Sequence, residues 1–219
     1  VDRQANLQAV AALDEPTRRR LYEYVVAAAA AVSRDDAATA LALPRNTAAF
    51  HLDKLAAEGL LTVVHARRTG RTGPGAGRPA KLYRRSDTEI AVSLPERQYA
   101  VAGHLLAGAI TDAESTGDSP RAALERQAHT YGKSLTGDSI LEVLAGQGFE
   151  PHPEGESIAL SNCPFRALAK AHGSLVCAMT LHLVRGVLAG RPDSGLRAEL
   201  EPTPNHCCVR LQHSGVSDH

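Results

Sequence analysis

The chain lacks most of the features that would place it at a glance. Its longest uninterrupted apolar run is the alanine-rich Val25–Val32 stretch, well short of the ~18 residues a membrane span needs. No charged-then-apolar segment opens it, so residence in the cytoplasm, off the membrane, is the expectation. No Ser/His/Asp order, paired-carboxylate motif or Gly-Lys-Ser/Thr phosphate-loop ending stands out, and no enzyme is expected. Net charge is absent too, 24 Lys and Arg balancing 24 Asp and Glu. Cysteine is sparse, with four in 219 residues. In a reducing compartment such cysteines read as thiols or metal ligands rather than disulfides.

The charge that is present is unevenly spread. Residues 1–85 hold 14 Lys and Arg against 8 Asp and Glu, and the remainder holds 10 against 16. Within the first part, residues 44–85 carry nine positive and two negative side chains. A concentrated basic segment is the electrostatic footprint of a polyanion binder. The length leaves room for two small domains, each able to bury a core.

The basic part carries helix punctuation. Pro16 opens a helix behind Asp14 and Glu15, where a missing N–H costs nothing. Ser33 with Asp36 reads as a capping box starting a second helix through Leu41. A third helix, "RNTAAFHLDKLAAEG", stops at Gly59. Ala48, Leu52, Leu55 and Ala56 would pack inward. Thr47, Phe50, His51 and Lys54 fall opposite, with Arg45 and Asn46 at the N-terminal end, the end a recognition helix presents to base edges. Two strands follow, "LLTVVHARR" and "KLYRR", joined by a Gly-rich basic loop. That hairpin reads as a wing whose Arg71, Arg78 and Lys81 reach phosphates or the minor groove.

"LDEPTRRRLYEYV", "PRNTAAFHLDKLAAEGLL" and "GAGRPAKLYR", taken together, resemble the winged-helix regulators of bacteria related to the ArsR type. They are similar in particular to the actinobacterial branch near the repressor of the Suf iron–sulfur assembly operon. The resemblance covers residues 10–86 and implies a double-stranded DNA operator as partner. It departs at Ala42–Leu43–Pro44, where family members often have Gly and a Ser/Thr cap.

Past the wing, Tyr99, Ala102, Leu106, Ala109 and Ala113 recur with heptad spacing. They are the expected seam of a homodimer, since a winged helix commonly binds DNA as a two-fold pair. Further helices are expected from Ser119–Pro120 and from Asp138, then a hairpin turning at Glu154–Gly155.

The last third holds Cys163, Cys177, Cys207 and Cys208. Asn162-Cys163-Pro164 reads as a helix start, where a thiol ionises more readily. On one straight helix Cys163 and Cys177 would lie about 21 Å apart, so sharing a site needs a break, and Gly173 offers one. If "HCCVR" is extended, its two thiols point to opposite faces, and only one of Cys207 and Cys208 joins the other two unless a local bend brings both inward. His172, His182, His206 and His213 are near enough in sequence to supply a fourth ligand. The spread favours an iron–sulfur cluster over a single Zn²⁺, and the resemblance implies the same, since Suf-type regulators hold such a cluster in this region.

The expectation is therefore an α+β chain with a winged helix-turn-helix over 1–90, a dimerisation helix over 91–118 and a cysteine-containing α+β sensor domain over 119–219. Its function would be transcription regulation through a Cys-ligated cluster or metal ion. The alternatives are a small-molecule-responsive regulator with structural cysteines and a metal-free thiol redox sensor.

Overall fold

In the computed structural model, which describes residues 3–66, 79–204 and 206–213, the chain forms two compact units, Val1–Val92 and Ser93–His219. The first contains helices α1 (Arg3–Ala12), α2 (Pro16–Ala27), α3 (Arg34–Leu41) and α4 (Arg45–Ala57), with strands β1 (Val32–Ser33), β2 (Leu61–Ala66) and β3 (Ala80–Arg85). The strands form an antiparallel sheet in the order β1-β3-β2. Leu21, Leu52, Leu55 and Tyr83 are its largest fully buried side chains.

Local chemistry explains the helix ends. Glu15 caps α2, its carboxylate accepting from the Thr17 and Arg18 amides, and Pro16 occupies the first turn. Ser33 and Asp36 form the expected capping box on α3, worth about 1 kcal/mol. Two departures follow. Ala42 ends α3 in the left-handed region at φ 53°, a conformation costing a side-chain-bearing residue roughly 1–2 kcal/mol. Pro44 precedes α4 with no side-chain cap. α1 was not foreseen: its buried face is only Ala9 and Ala12, too small a signal for an amphipathic stripe.

The second unit contains α5 (Tyr99–Thr116), α6 (Pro120–Ser134), α7 (Ile140–Gly146), α8 (Arg166–Ala171) and α9 (Gly173–Ala189), with strands β4 (Pro151–Glu154), β5 (Ser157–Leu160), β6 (Leu196–Leu200) and β7 (Val209–His213). The four strands form an antiparallel sheet in the order β4-β5-β7-β6. α9 is buried along most of its length and crosses α6 backbone to backbone. A Cβ on Gly132 would lie 2.0 Å from the Leu183 carbonyl oxygen, and one on Gly186 2.1 Å from that of His129. Only glycine permits this approach.

α5, expected as a linker, packs within this second unit. Its anticipated dimer seam is corrected: Ala102, Ala109 and Ala113 are buried in the unit's own core, Leu106 packs against it, and Tyr99 is largely exposed. The Tyr99 hydroxyl accepts a hydrogen bond from the Ala167 amide. Small residues at heptad spacing suit any close helix pair, and here α6 takes that place. His104, expected in a core or interface, stands exposed on the outward face of α5 with Ala100, Gly103, Ala107 and Ile110.

Candidate functional site

α4 presents the residues anticipated for DNA, but rotated by about one position. Asn46, Phe50 and Asp53 are exposed at i, i+4 and i+7, while Thr47 and His51 are half-buried. Phe50 stands out at 67 % exposure. His51 turns away from this face toward the N-terminus of α2, its Nδ1 3.6 Å from Glu15 Oε2. It is corrected from a base-reading side chain to a packing one.

The cations there are already occupied. Arg45 forks onto Asp35, with Nη2 donating to Oδ2 at 3.1 Å and Nε paired with Oδ1. Lys54 meets Glu58 at 2.5 Å, an i, i+4 pair of the sort that stabilises helix surfaces. Lys81, on β3, reaches across to α4 and donates to Asp53 Oδ1 at 2.5 Å. The Tyr83 hydroxyl donates to the same oxygen, also at 2.5 Å. Burial alone would raise the Asp53 carboxyl, but the bonds from Lys81 and Tyr83 hold it below its usual range. Burial and then the bond to Asp53 push the Tyr83 hydroxyl up. Arg71 and Arg78 lie outside the described residues.

In the second unit all four cysteines are free thiols, and all four come together. Cys163 precedes α8, which begins at Arg166 and not at Pro164 as expected. Cys177 sits near the start of α9, beyond a break at His172 where φ is −133°, so the reversal foreseen at Gly173 occurs one residue earlier. "HCCVR" is not one extended strand. β7 begins only at Val209, and Cys208 occupies a bend. The Cys207 amide donates to the Leu160 carbonyl and the Cys208 carbonyl accepts from the Glu201 amide. The segment is thus pinned on both sides while it bends, and both thiols join the site. The condition of an extended strand does not hold here, and the alternative of a local bend does.

The thiols act on one another in pairs: Cys163 with Cys207, Cys207 with Cys208, and Cys208 with Cys177. Two of them shift toward ionisation. The neighbouring Cys207, helped by the Phe165 amide and the positive field of Arg97, lowers Cys163 despite burial. Cys207 and Cys177 bring Cys208 to about 7. The other two shift the opposite way. Burial first, then its bond to Cys208, lifts Cys177 to about 12, and the bonds to Cys163 and Cys208 push Cys207 well up. Among the described residues no histidine acts on these thiols. His182 faces Glu125 at 3.6 Å, and His206 Nδ1 lies 3.0 Å from the Pro204 carbonyl oxygen.

Two supporting residues play parts the sequence does not indicate, Asn162 reading there only as part of a helix start. Buried Asn162 donates to the Gly148 and Glu96 carbonyls and accepts from Arg97 at 2.5 Å. Arg97 in turn donates to the Cys163 carbonyl at 3.1 Å. Together they fix the backbone at the first cysteine.

Four sulfurs from three stretches of chain are the donor set of a zinc or iron–sulfur site. Their chemistry fits such a centre. Among the described residues, however, no three or more His, Cys, Asp or Glu side chains are grouped so that they could hold a metal ion. Their mutual influences run pairwise, from Cys163 through Cys207 and Cys208 to Cys177.

Residues 13–64 match the model of the Helix-turn-helix domain family. That span runs from α2 into β2. The first unit therefore contains a helix-turn-helix domain, which supports the class of DNA-binding transcription regulators. No curated protein and no solved structure matches the chain. Among the described residues no helix is long and apolar enough to cross a membrane.

Proposed function

We propose that the chain is a transcription regulator whose second unit carries a cysteine-ligated iron–sulfur cluster or Zn²⁺ and adjusts operator binding by the state of that centre. The observation that carries this reading is that all four cysteines, from sequence positions as far apart as Cys163 and Cys208, lie close enough to act on one another's thiols, two of them buried and two half-buried, with no disulfide among them. The resemblance to Suf-type regulators supports the cluster over zinc.

Cys163, Cys177, Cys207 and Cys208 would hold the centre. Thiols deprotonate on ligation, so binding would release protons, and those of Cys177 and Cys207, which are shifted up, would be the harder to release. When bound, the centre would supply a redox- or availability-dependent constraint on the relative positions of these four residues. In this chain, α9 begins beside these thiols and runs through the core against α6. A change at Cys177 is thus felt along the best-packed helix pair of the unit. A homodimer belongs to the same proposal, through a surface other than the seam residues buried on α5.

Anaerobic purification followed by iron, sulfide and zinc analysis and visible absorption tests the centre directly. Brown protein with iron and sulfide is the expected result. Colourless protein with zinc would assign a zinc site, and neither metal after anaerobic reconstitution would overturn both. Operator affinity measured with and without the centre tests the coupling, and equal affinity would end it. Sedimentation of the full chain tests the dimer.

A further inference from the structure

The basic excess of residues 44–85 is less available than its count suggests. Both acidic residues in that span sit on cations, Asp53 on Lys81 and Glu58 on Lys54, and Asp35 of α3 takes Arg45. Exposed ion pairs contribute little to stability, and of these carboxylates only Asp53 also meets a core side chain, the Tyr83 hydroxyl. Their positions matter for a different reason. Asp53 lies on the exposed face of α4 in register with Asn46 and Phe50. With Asp35, Arg34, Arg45, Lys81 and Tyr83 it lines a concavity of about 290 Å³. Asp53 Oδ1 accepts from an ammonium and a phenol, and Asp35 accepts a guanidinium fork. These are the donor arrangements that a phosphate oxygen would also use.

We propose that Asp53 and Asp35 are built-in counter-ions of the DNA-facing surface, standing where backbone phosphates bind and surrendering Lys81 and Arg45 to DNA only by exchange. They set selectivity. A duplex that offers phosphates but no base contacts must displace the carboxylates without compensation. A matched site meets the same cost with base contacts to Asn46 and Phe50 in return. The inference rests on the DNA-binding reading and identifies the residues that hold non-specific binding down.

The test is a salt series of binding isotherms for the full chain against a mixed-sequence duplex. Asp53→Asn and Asp35→Asn are each expected to bind roughly fivefold tighter. Each should also steepen the plot of log affinity against log salt by about 0.9, the value for one further phosphate neutralised. Glu23→Gln, an exposed α2 site carrying the same change of charge, should leave both nearly unchanged. Asp53→Asn added to Lys81→Ala should do no more than Lys81→Ala alone. Tighter binding by Glu23→Gln equal to that of the aspartate variants would reduce the effect to net charge and overturn the proposal. Weaker binding by Asp53→Asn at an unchanged slope would make Asp53 a brace between α4 and β3, which also overturns it. If the unaltered chain shows no salt-dependent affinity for duplex while the variants remain folded by circular dichroism, the DNA-binding reading itself fails.

Discussion

In the first unit the polar side chains of interest stand in water. Asp53 and Lys81 are 52 % and 45 % exposed, and their partners are oppositely charged. In the second unit the corresponding groups are Cys163 and Cys207, both buried, and their partners are one another. Exposed pairs can trade partners with any ion that diffuses in, at little cost to the fold. Buried thiols can change partners only if something replaces their hydrogen bonds, because an unpaired buried polar group is expensive. The first arrangement suits reversible contact with a polyanion, and the second suits retention of a guest. The units also differ in packing. The first rests on leucines around α4, and the second on a helix crossing with no room for a methyl group.

The sharpest break in that comparison lies at the crossing. Gly132→Ala or Gly186→Ala should cost about 3 kcal/mol or more by overpacking, read from urea denaturation followed by circular dichroism. Gly103→Ala, on the outward face of α5 with nothing near its Cβ, should be neutral or stabilise by up to about 1 kcal/mol. Next in size is the polar brace. Asn162→Ala leaves the Gly148 and Glu96 carbonyls without their side-chain donor and should cost about 2 kcal/mol, with faster alkylation of Cys163 measured by mass spectrometry. In the first unit, Ala42→Gly should stabilise by about 0.5–1 kcal/mol, because glycine carries no penalty at positive φ.

The smallest effect is one of pH, in reduced, metal-free protein. Cys208 is depressed in the folded state to about 7, so its contribution is present above the ordinary thiol range and fades as pH falls through about 7. Cys177 is raised to about 12, so its contribution is present below that range and fades as pH rises toward about 12. Denaturation midpoints should therefore fall on both sides. Cys208→Ser should lessen the acid-side decline, leaving the share of Cys163, and Cys177→Ser the alkaline one, leaving the share of Cys207, whereas the first unit's Asp53 responds only at the acid end of the carboxylate range.

What was legible in the sequence was what is local. Pro16, the Ser33–Asp36 box and Gly59 marked helix ends because each acts within a turn of its own position. The two strands of the wing base were equally local. The facing of α4 was not, because His51 is drawn in by Glu15, a residue of another helix. The alanines of α5 have the spacing of a close helix pair but carry no information on whether the partner is α6 or a second chain. At the cysteines, alternation along a strand is a sound rule, but it failed because the strand begins at Val209. The bend at Cys208 depends on hydrogen bonds to Leu160 and Glu201, far away in sequence.

α3 and α4 are neighbours in the chain yet begin in opposite ways. α3 opens on its own capping box, whereas α4 opens on Pro44 with no side-chain bond to its first turn. Helix nucleation is the slow and unfavourable step, and a local cap eases it before any tertiary contact exists. α3 should therefore be the earlier of the two to hold its shape during folding, with α4 forming as Leu52 and Leu55 dock. In a mutational analysis of folding rates, Ser33→Ala would slow folding, whereas Leu55→Ala would act more on unfolding. Of the two helices, α4 would then be the later to assemble and the earlier to let go.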